Sequence, residues 1–213
     1  MKILSAEFVT SAAADATGIP RDGVPHVALA GRSNVGKSTL INALCHRRIA
    51  RTSAAPGKTR LANVYRVDFD SAGRRSVYLV DLPGYGYARG GEEGARELAA
   101  VAEGYFDLRR SSRAPRVPSP GHVLLLVDSR HPGLAADTHA FEWLQRMGVT
   151  PHIVATKIDK LSRSERTRNL RNIEQVFGAT VLPVSAESGE GLEELWRLMI
   201  RPQTDTDGHR HDL

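Results

Sequence analysis

The stretch Gly31-Arg32-Ser33-Asn34-Val35-Gly36-Lys37-Ser38 decides the architecture. Apolar Val27-Ala28-Leu29-Ala30 precedes it and reads as a strand, while Thr39-Leu40-Ile41-Asn42-Ala43-Leu44 follows with a helical apolar spacing. A glycine-framed loop between a strand and a helix turns backbone N–H groups toward phosphate oxygens at the helix N-terminus. In that geometry Lys37 reaches the β- and γ-phosphates and the Ser38 hydroxyl holds Mg²⁺. A glycine-rich turn with a solvated lysine is the competing reading, and it leaves the flanking strand and helix unexplained.

Downstream of the loop, the pattern repeats strands and helices. Arg47-Arg48-Ile49-Ala50-Arg51 leaves the first helix (about 37–45) and enters the small-residue loop Thr52 to Arg60. Leu61–Asp68 and Ser76–Asp81 form a hairpin around Asp70-Ser71-Ala72-Gly73. The second of these strands is nearly all apolar, as expected of a strand covered on both faces. It ends in Asp81-Leu82-Pro83-Gly84, which places an acidic group toward the magnesium shell and a glycine N–H toward the γ-phosphate. Further strands are predicted at 123–128, 151–155 and 180–184, and helices at about 92–105, 135–147, 163–177 and from 192 onward.

The expected fold is α/β: a Ras-like P-loop GTPase fold with a mostly parallel six-stranded sheet, one strand antiparallel, and helices on both faces. Residues 1–22 read as a lead-in with a short strand at Ile3–Val9, 23–201 as the nucleotide-binding domain, and 202–213 as a polar, disordered tail.

A P-loop alone does not choose between guanine and adenine. Thr156-Lys157-Ile158-Asp159 falls at the end of a predicted strand, where the Asp159 carboxylate can accept from guanine N1–H and the 2-amino group. Adenine lacks that donor pair, and an unpaired carboxylate rejects it. The Lys157 stem can lie along the base, and Val184-Ser185-Ala186 can bring a backbone N–H to guanine O6. A helix cap explains Asp159 or Ser185 singly, but not both in this order.

Composition sets the surroundings. Of 29 Lys and Arg residues only five are lysine, yet Lys37, Lys58 and Lys157 all lie in these motifs. A compact ammonium is therefore wanted there. The formal charge of +5 suits a polyanionic partner, although an arginine-rich solvated surface gives the same total. One cysteine excludes an internal disulfide, and Cys45 reads as a small core residue. The sequence has no apolar stretch of bilayer length and no signal-type start, so a cytoplasmic protein without a membrane span is expected.

The chain resembles translation-factor-class GTPases, and more closely the bacterial EngB (YihA/YsxC) family. The resemblance rests on the P-loop, Pro56-Gly57-Lys58-Thr59, Asp81-Leu82-Pro83-Gly84-Tyr85-Gly86-Tyr87-Ala88, Asp128-Ser129-Arg130-His131-Pro132 and Thr156-Lys157-Ile158-Asp159. It covers roughly residues 3–200 and implies Mg²⁺-dependent GTP and GDP binding, slow hydrolysis and a role in maturing the large ribosomal subunit, with division and septation affected by loss. It makes Thr59 the second Mg²⁺ ligand beside Ser38, with Asp81 acting through water, and extends the nucleotide contacts to Gly57, Lys58, Thr59, Arg60 and Leu61. Lys37, Thr59, Gly84 and Asn34 become the residues expected to carry hydrolysis. Tyr85 stands where Ras-type enzymes place a water-orienting glutamine, so turnover should be slow. Asn34 is either a K⁺ ligand, as in relatives with asparagine there, or a residue that shapes the loop.

Arg47, Arg48, Arg51, Lys58 and Arg60 around the first switch, with Arg109, Arg110, Arg113 and Arg116 after the second, suit ribosomal RNA. The segment Arg113–Pro120 is longer than the family's usual link. A monomer is expected. Two other functions compete: a P-loop kinase or metabolic hydrolase, which Asp159 argues against, and a GTP-dependent switch in division that binds protein without direct ribosome contact.

Overall fold

The structure is a computed structural model that describes residues 1–51, 61–85, 91–107 and 120–201. Its strands are β1 (Lys2–Ala12), β2 (His26–Gly31), β3 (Ala62–Asp70), β4 (Arg74–Asp81), β5 (Pro120–Asp128), β6 (His152–Thr156) and β7 (Val181–Pro183). The helices are α1 (Lys37–Cys45), α2 (Gly91–Asp107), α3 (Ala135–Arg146), α4 (Arg163–Phe177) and α5 (Leu192–Ile200).

One sheet runs in the order β1-β3-β4-β2-β5-β6-β7. The order reverses at β2, which has β4 on one side and β5 on the other, both parallel to it. This is the switch point at which open α/β sheets bind ligands, beyond the carboxyl ends of the strands. The Asp70–Gly73 hairpin forms as predicted, with β3 antiparallel to β4. The count differs from the expected six, because the lead-in strand is longer than Ile3–Val9 and pairs antiparallel with β3 as the edge of the same sheet. Its alternating exposed and half-buried residues carry only a weak strand signal.

Period-two alternation sorts β2 between two cores. Val27 and Leu29 face Leu40, Ile41 and Leu44 of α1 and Leu195, Trp196 and Met199 of α5. Ala28 and Ala30 face the other layer, built from Val101, Tyr105 and Phe106 of α2, Leu144 of α3, and Ile173 and Phe177 of α4. Trp196 Nε1 donates to the Leu44 carbonyl at 3.2 Å, tying α5 to the end of α1. Cys45 is fully buried there, and burial pushes its thiol up to about 12. Ser162 and Glu165 form a capping box that starts α4, and Gly178 in the left-handed region ends it.

Candidate nucleotide site

The sequence-predicted site residues within the described segments lie at the carboxyl ends of β2, β4, β6 and β7, in the loops and short 3-10 turn that leave them, or in the first turn of α1, apart from Leu61, which precedes β3. Gly57, Lys58, Thr59 and Arg60 lie outside the described residues, and so do Gly86 to Ala88 and the basic residues Arg109, Arg110, Arg113 and Arg116. Leu61 is described and is exposed.

The P-loop leaves β2 at Gly31, and Gly36 caps α1 with φ 111°, a conformation that L side chains rarely adopt. Asn34 also has a positive φ, 64°, which asparagine tolerates better than most residues. Its side chain is exposed, and so is Thr39 in the first turn of α1. Lys37 is almost wholly buried and donates to the carbonyls of Gly31 at 3.0 Å and Arg32 at 3.4 Å. Burial lowers its pKa, opposed by the Asp81 charge.

Ser38 Oγ donates to Asp81 Oδ2 at 3.1 Å. Burial raises the Asp81 pKa, with Lys37 and Ser38 pulling the other way. Its second oxygen, Oδ1, is buried and has no hydrogen-bond partner. A hydroxyl beside a carboxylate with an unmet oxygen is an oxygen donor set that suits Mg²⁺, which binds through few protein groups and keeps several waters.

After Asp81 the chain passes Leu82 and Pro83 and runs beside the P-loop. Ser33 N–H donates to the Tyr85 carbonyl at 3.0 Å, and Ser33 Oγ to the Gly84 carbonyl at 3.3 Å. A Cβ on Gly84 would lie 2.9 Å from Ser33 N, so only glycine permits this approach.

The other end of the site is built from β6 and β7. Thr156 is buried, and its hydroxyl donates to the carbonyls of Val35 at 2.8 Å and Val127 at 3.1 Å. It therefore joins the P-loop to the sheet. Lys157 takes φ 61° and sends its ammonium back to the Asn34 carbonyl at 2.6 Å and Asp128 Oδ2 at 2.9 Å. Ile158 is buried and opens a one-turn 3-10 helix that presents Asp159. Ser185 Oγ donates to Asp159 Oδ1 at 2.6 Å, and this bond is the main cause of the lowered Asp159 pKa. Ser185 Oγ in turn accepts from the N–H groups of Glu187 and Ser188. Val184 is buried behind it. The Ser185 N–H is taken by the Glu190 carbonyl at 2.9 Å.

Sequence reasoning noted Asp128 and Arg130 without giving them a task. Arg130 grips Asp128 through Nε at 2.9 Å and Nη2 at 2.8 Å, and Lys157 completes the cluster. Burial opposes ionisation of Asp128, but these bonds outweigh it and hold the carboxyl well below the usual range. Asp137 gave no local signal at all. It is buried in the first turn of α3 and accepts from Tyr85 Oη at 2.9 Å.

Residues 26–157 match the family model described as 50S ribosome-binding GTPase. Over 206 residues the chain is 42% identical to a probable GTP-binding protein EngB of Pelotomaculum thermopropionicum, covering 94% of this chain and 96% of that one. The chain belongs to the EngB family of GTP-binding proteins. An EngB protein of Solibacter usitatus is also 42% identical, over 92% of this chain and 95% of its own. A crystal structure of a probable EngB superposes with a TM-score of 0.59 at 21% identity, covering 82% of this chain and 96% of that one. Aquifex aeolicus Era bound to GDP·AlF₄⁻ superposes with a TM-score of 0.68 at 21% identity, over 86% of this chain and 58% of Era. These two likenesses show the P-loop GTPase fold. Among the described residues no helix is long and apolar enough to cross a membrane.

Proposed function

We propose that this EngB chain is a slow GTPase that acts as a switch in assembly of the large ribosomal subunit, with cell division and septation depending on it. The observation that carries the switch reading is the pair of bonds from Ser33 to the carbonyls of Gly84 and Tyr85. The loop that cradles the phosphates and the run that meets the γ-phosphate are thereby direct neighbours.

In this reading the N–H groups of residues 33 to 39 surround the phosphates, and Lys37 exchanges its carbonyl partners for β- and γ-phosphate oxygens. Ser38 and Thr59 hold Mg²⁺ directly and Asp81 holds it through water. When bound, Mg²⁺ neutralises charge on the β- and γ-phosphate oxygens. Asp159, ionised and aimed by Ser185, accepts from guanine N1–H and the 2-amino group, the Ala186 N–H meets O6, and the Lys157 stem flanks the ring. Gly84 N–H faces the γ-phosphate and Asn34 is a K⁺ ligand. Tyr85 spends its hydroxyl on Asp137 and does not orient the attacking water. Unaided turnover then falls at roughly 10⁻⁴ to 10⁻² s⁻¹, the span of unassisted GTPases.

The ribosomal half of the reading is supported by the family description and by exposed Arg47, Arg48 and Arg51, which lead from α1 toward the first switch. A neighbouring fold offers a parallel: Era has been crystallised with MgGDPNP and nucleotides 1506–1542 of 16S ribosomal RNA. The protein is read as a cytoplasmic monomer.

Sedimentation of a lysate on sucrose gradients, with GDP or a non-hydrolysable GTP analogue, tests this. Co-migration with large-subunit particles only in the analogue, lost at high salt, is the expected result. Protein at the top of the gradient in both states removes the ribosome and leaves a switch that binds protein.

A further inference from the structure

Tyr85, Arg32 and Asp137 come from the run after β4, the P-loop and α3, and they meet at one carboxylate oxygen. Tyr85 Oη donates to Asp137 Oδ1 at 2.9 Å. Arg32 Nε lies 3.2 Å from the same oxygen, an ion-pair contact without hydrogen-bond geometry. Asp137 is 1% exposed, and its other oxygen is buried with no partner. A buried carboxylate half satisfied is costly unless its remaining partners hold firmly. The backbone answers on the other side of the ring: the Tyr85 and Gly84 carbonyls both accept from Ser33. Those carbonyls are thereby turned to the P-loop, and Arg32 and Tyr85 form an isolated parallel bridge beside them.

We propose that Asp137 is a positioning residue for GTP hydrolysis, which pins Tyr85 and Arg32 together so that the Gly84 N–H is held ready for the γ-phosphate. This rests on the GTP-hydrolysing reading of the site. A donor fixed before charge develops stabilises the transition state without reorganisation, whereas a loose one must be ordered first. The substitution of tyrosine for a water-orienting side chain thus has a purpose of its own: its hydroxyl anchors the loop from behind.

The test is single-turnover GTP hydrolysis with GDP affinity measured alongside. Asp137→Ala and Tyr85→Phe should each lower the hydrolysis rate about tenfold while GDP affinity moves by less than about twofold, because a hydrogen bond to a charged group is lost only where the γ-phosphate is sensed. Asp137→Asn, whose amide oxygen still accepts from Tyr85, should fall by only about threefold. The double variant Asp137→Ala/Tyr85→Phe should be no slower than Asp137→Ala. An unchanged rate in Tyr85→Phe, an equal loss of GDP affinity, or rates that multiply in the double variant would overturn the proposal. Tyr85→Phe keeps the ring in place and decides the matter alone if Asp137→Ala does not fold. Should the wild-type chain not hydrolyse GTP, Ser33 amide exchange reads the pin separately: faster exchange in Tyr85→Phe supports it, and equal exchange overturns it.

Discussion

The Lys157 ammonium donates to the Asn34 main-chain carbonyl at 2.6 Å, joining the end of β6 to the middle of the P-loop. A second bond to Asp128 Oδ2 at 2.9 Å ties the same ammonium to the end of β5. Lys157 is thus a strut that ties the P-loop to the ends of β5 and β6. Lys157→Met keeps the apolar stem and removes both bonds. Affinity for GDP and for a GTP analogue should fall together by about tenfold or more, as for a lost charge-assisted hydrogen bond. Isothermal titration with both nucleotides checks it, and a loss confined to one of them would count against the strut.

Base choice should follow the Asp159 carboxylate. Asp159→Asn replaces an acceptor by a donor, which disfavours guanine and favours xanthine, whose 2-position carries an oxygen. Competition between GDP and XDP should reverse in that variant. Ser185→Ala removes the 2.6 Å bond that aims the carboxylate, so guanine affinity should drop by about tenfold without a change of preference.

Monovalent cations supply another check. Wild-type turnover should be faster in K⁺ than in Na⁺ if the Asn34 side chain serves as a ligand. Asn34→Gly keeps the φ of 64° accessible while deleting the amide, and should abolish the difference between the two salts. Equal wild-type rates in both would leave Asn34 with its conformational role alone.

Acid should weaken the fold before the carboxylates titrate. Burial lowers the His26 pKa from 6.5 to about 4, against a smaller opposing effect of Asp22. The unfolded chain therefore binds a proton that the folded chain refuses between those values, and stability is lost as pH falls from about 6.5 to about 4. At 1.36 kcal/mol per unit the loss approaches about 3 kcal/mol. His26→Phe, which keeps an aromatic ring against Tyr78 and Tyr105, should flatten thermal stability across that window. Depressed carboxylates such as Asp68, held at about 2 chiefly by its bond from Ser76, act in a separate and more acid range.

Much of this site could be read before any coordinates, for a physical reason. Gly31 to Ser38, Asp81 to Gly84 and Thr156 to Asp159 are set by backbone geometry and by side chains placed at strand ends, so residue type and order forecast where they stand. The hairpin at Asp70–Gly73 and the capped α4 are likewise local matters of turn and cap chemistry. What the sequence could not supply is which distant side chains share one atom. Asp137 meets Tyr85 across 52 positions, and Thr156 meets the Val35 carbonyl across 121. Those pairings depend on sheet order and register and on how α3 docks, none of which leaves a local signature. The amino-acid sequence determined the P-loop, the strand-end motifs and their order. Packing alone decided that β1 completes a seven-stranded sheet, that Asp128 and Lys157 brace the P-loop, and that Tyr85 is anchored on the buried Asp137 carboxylate.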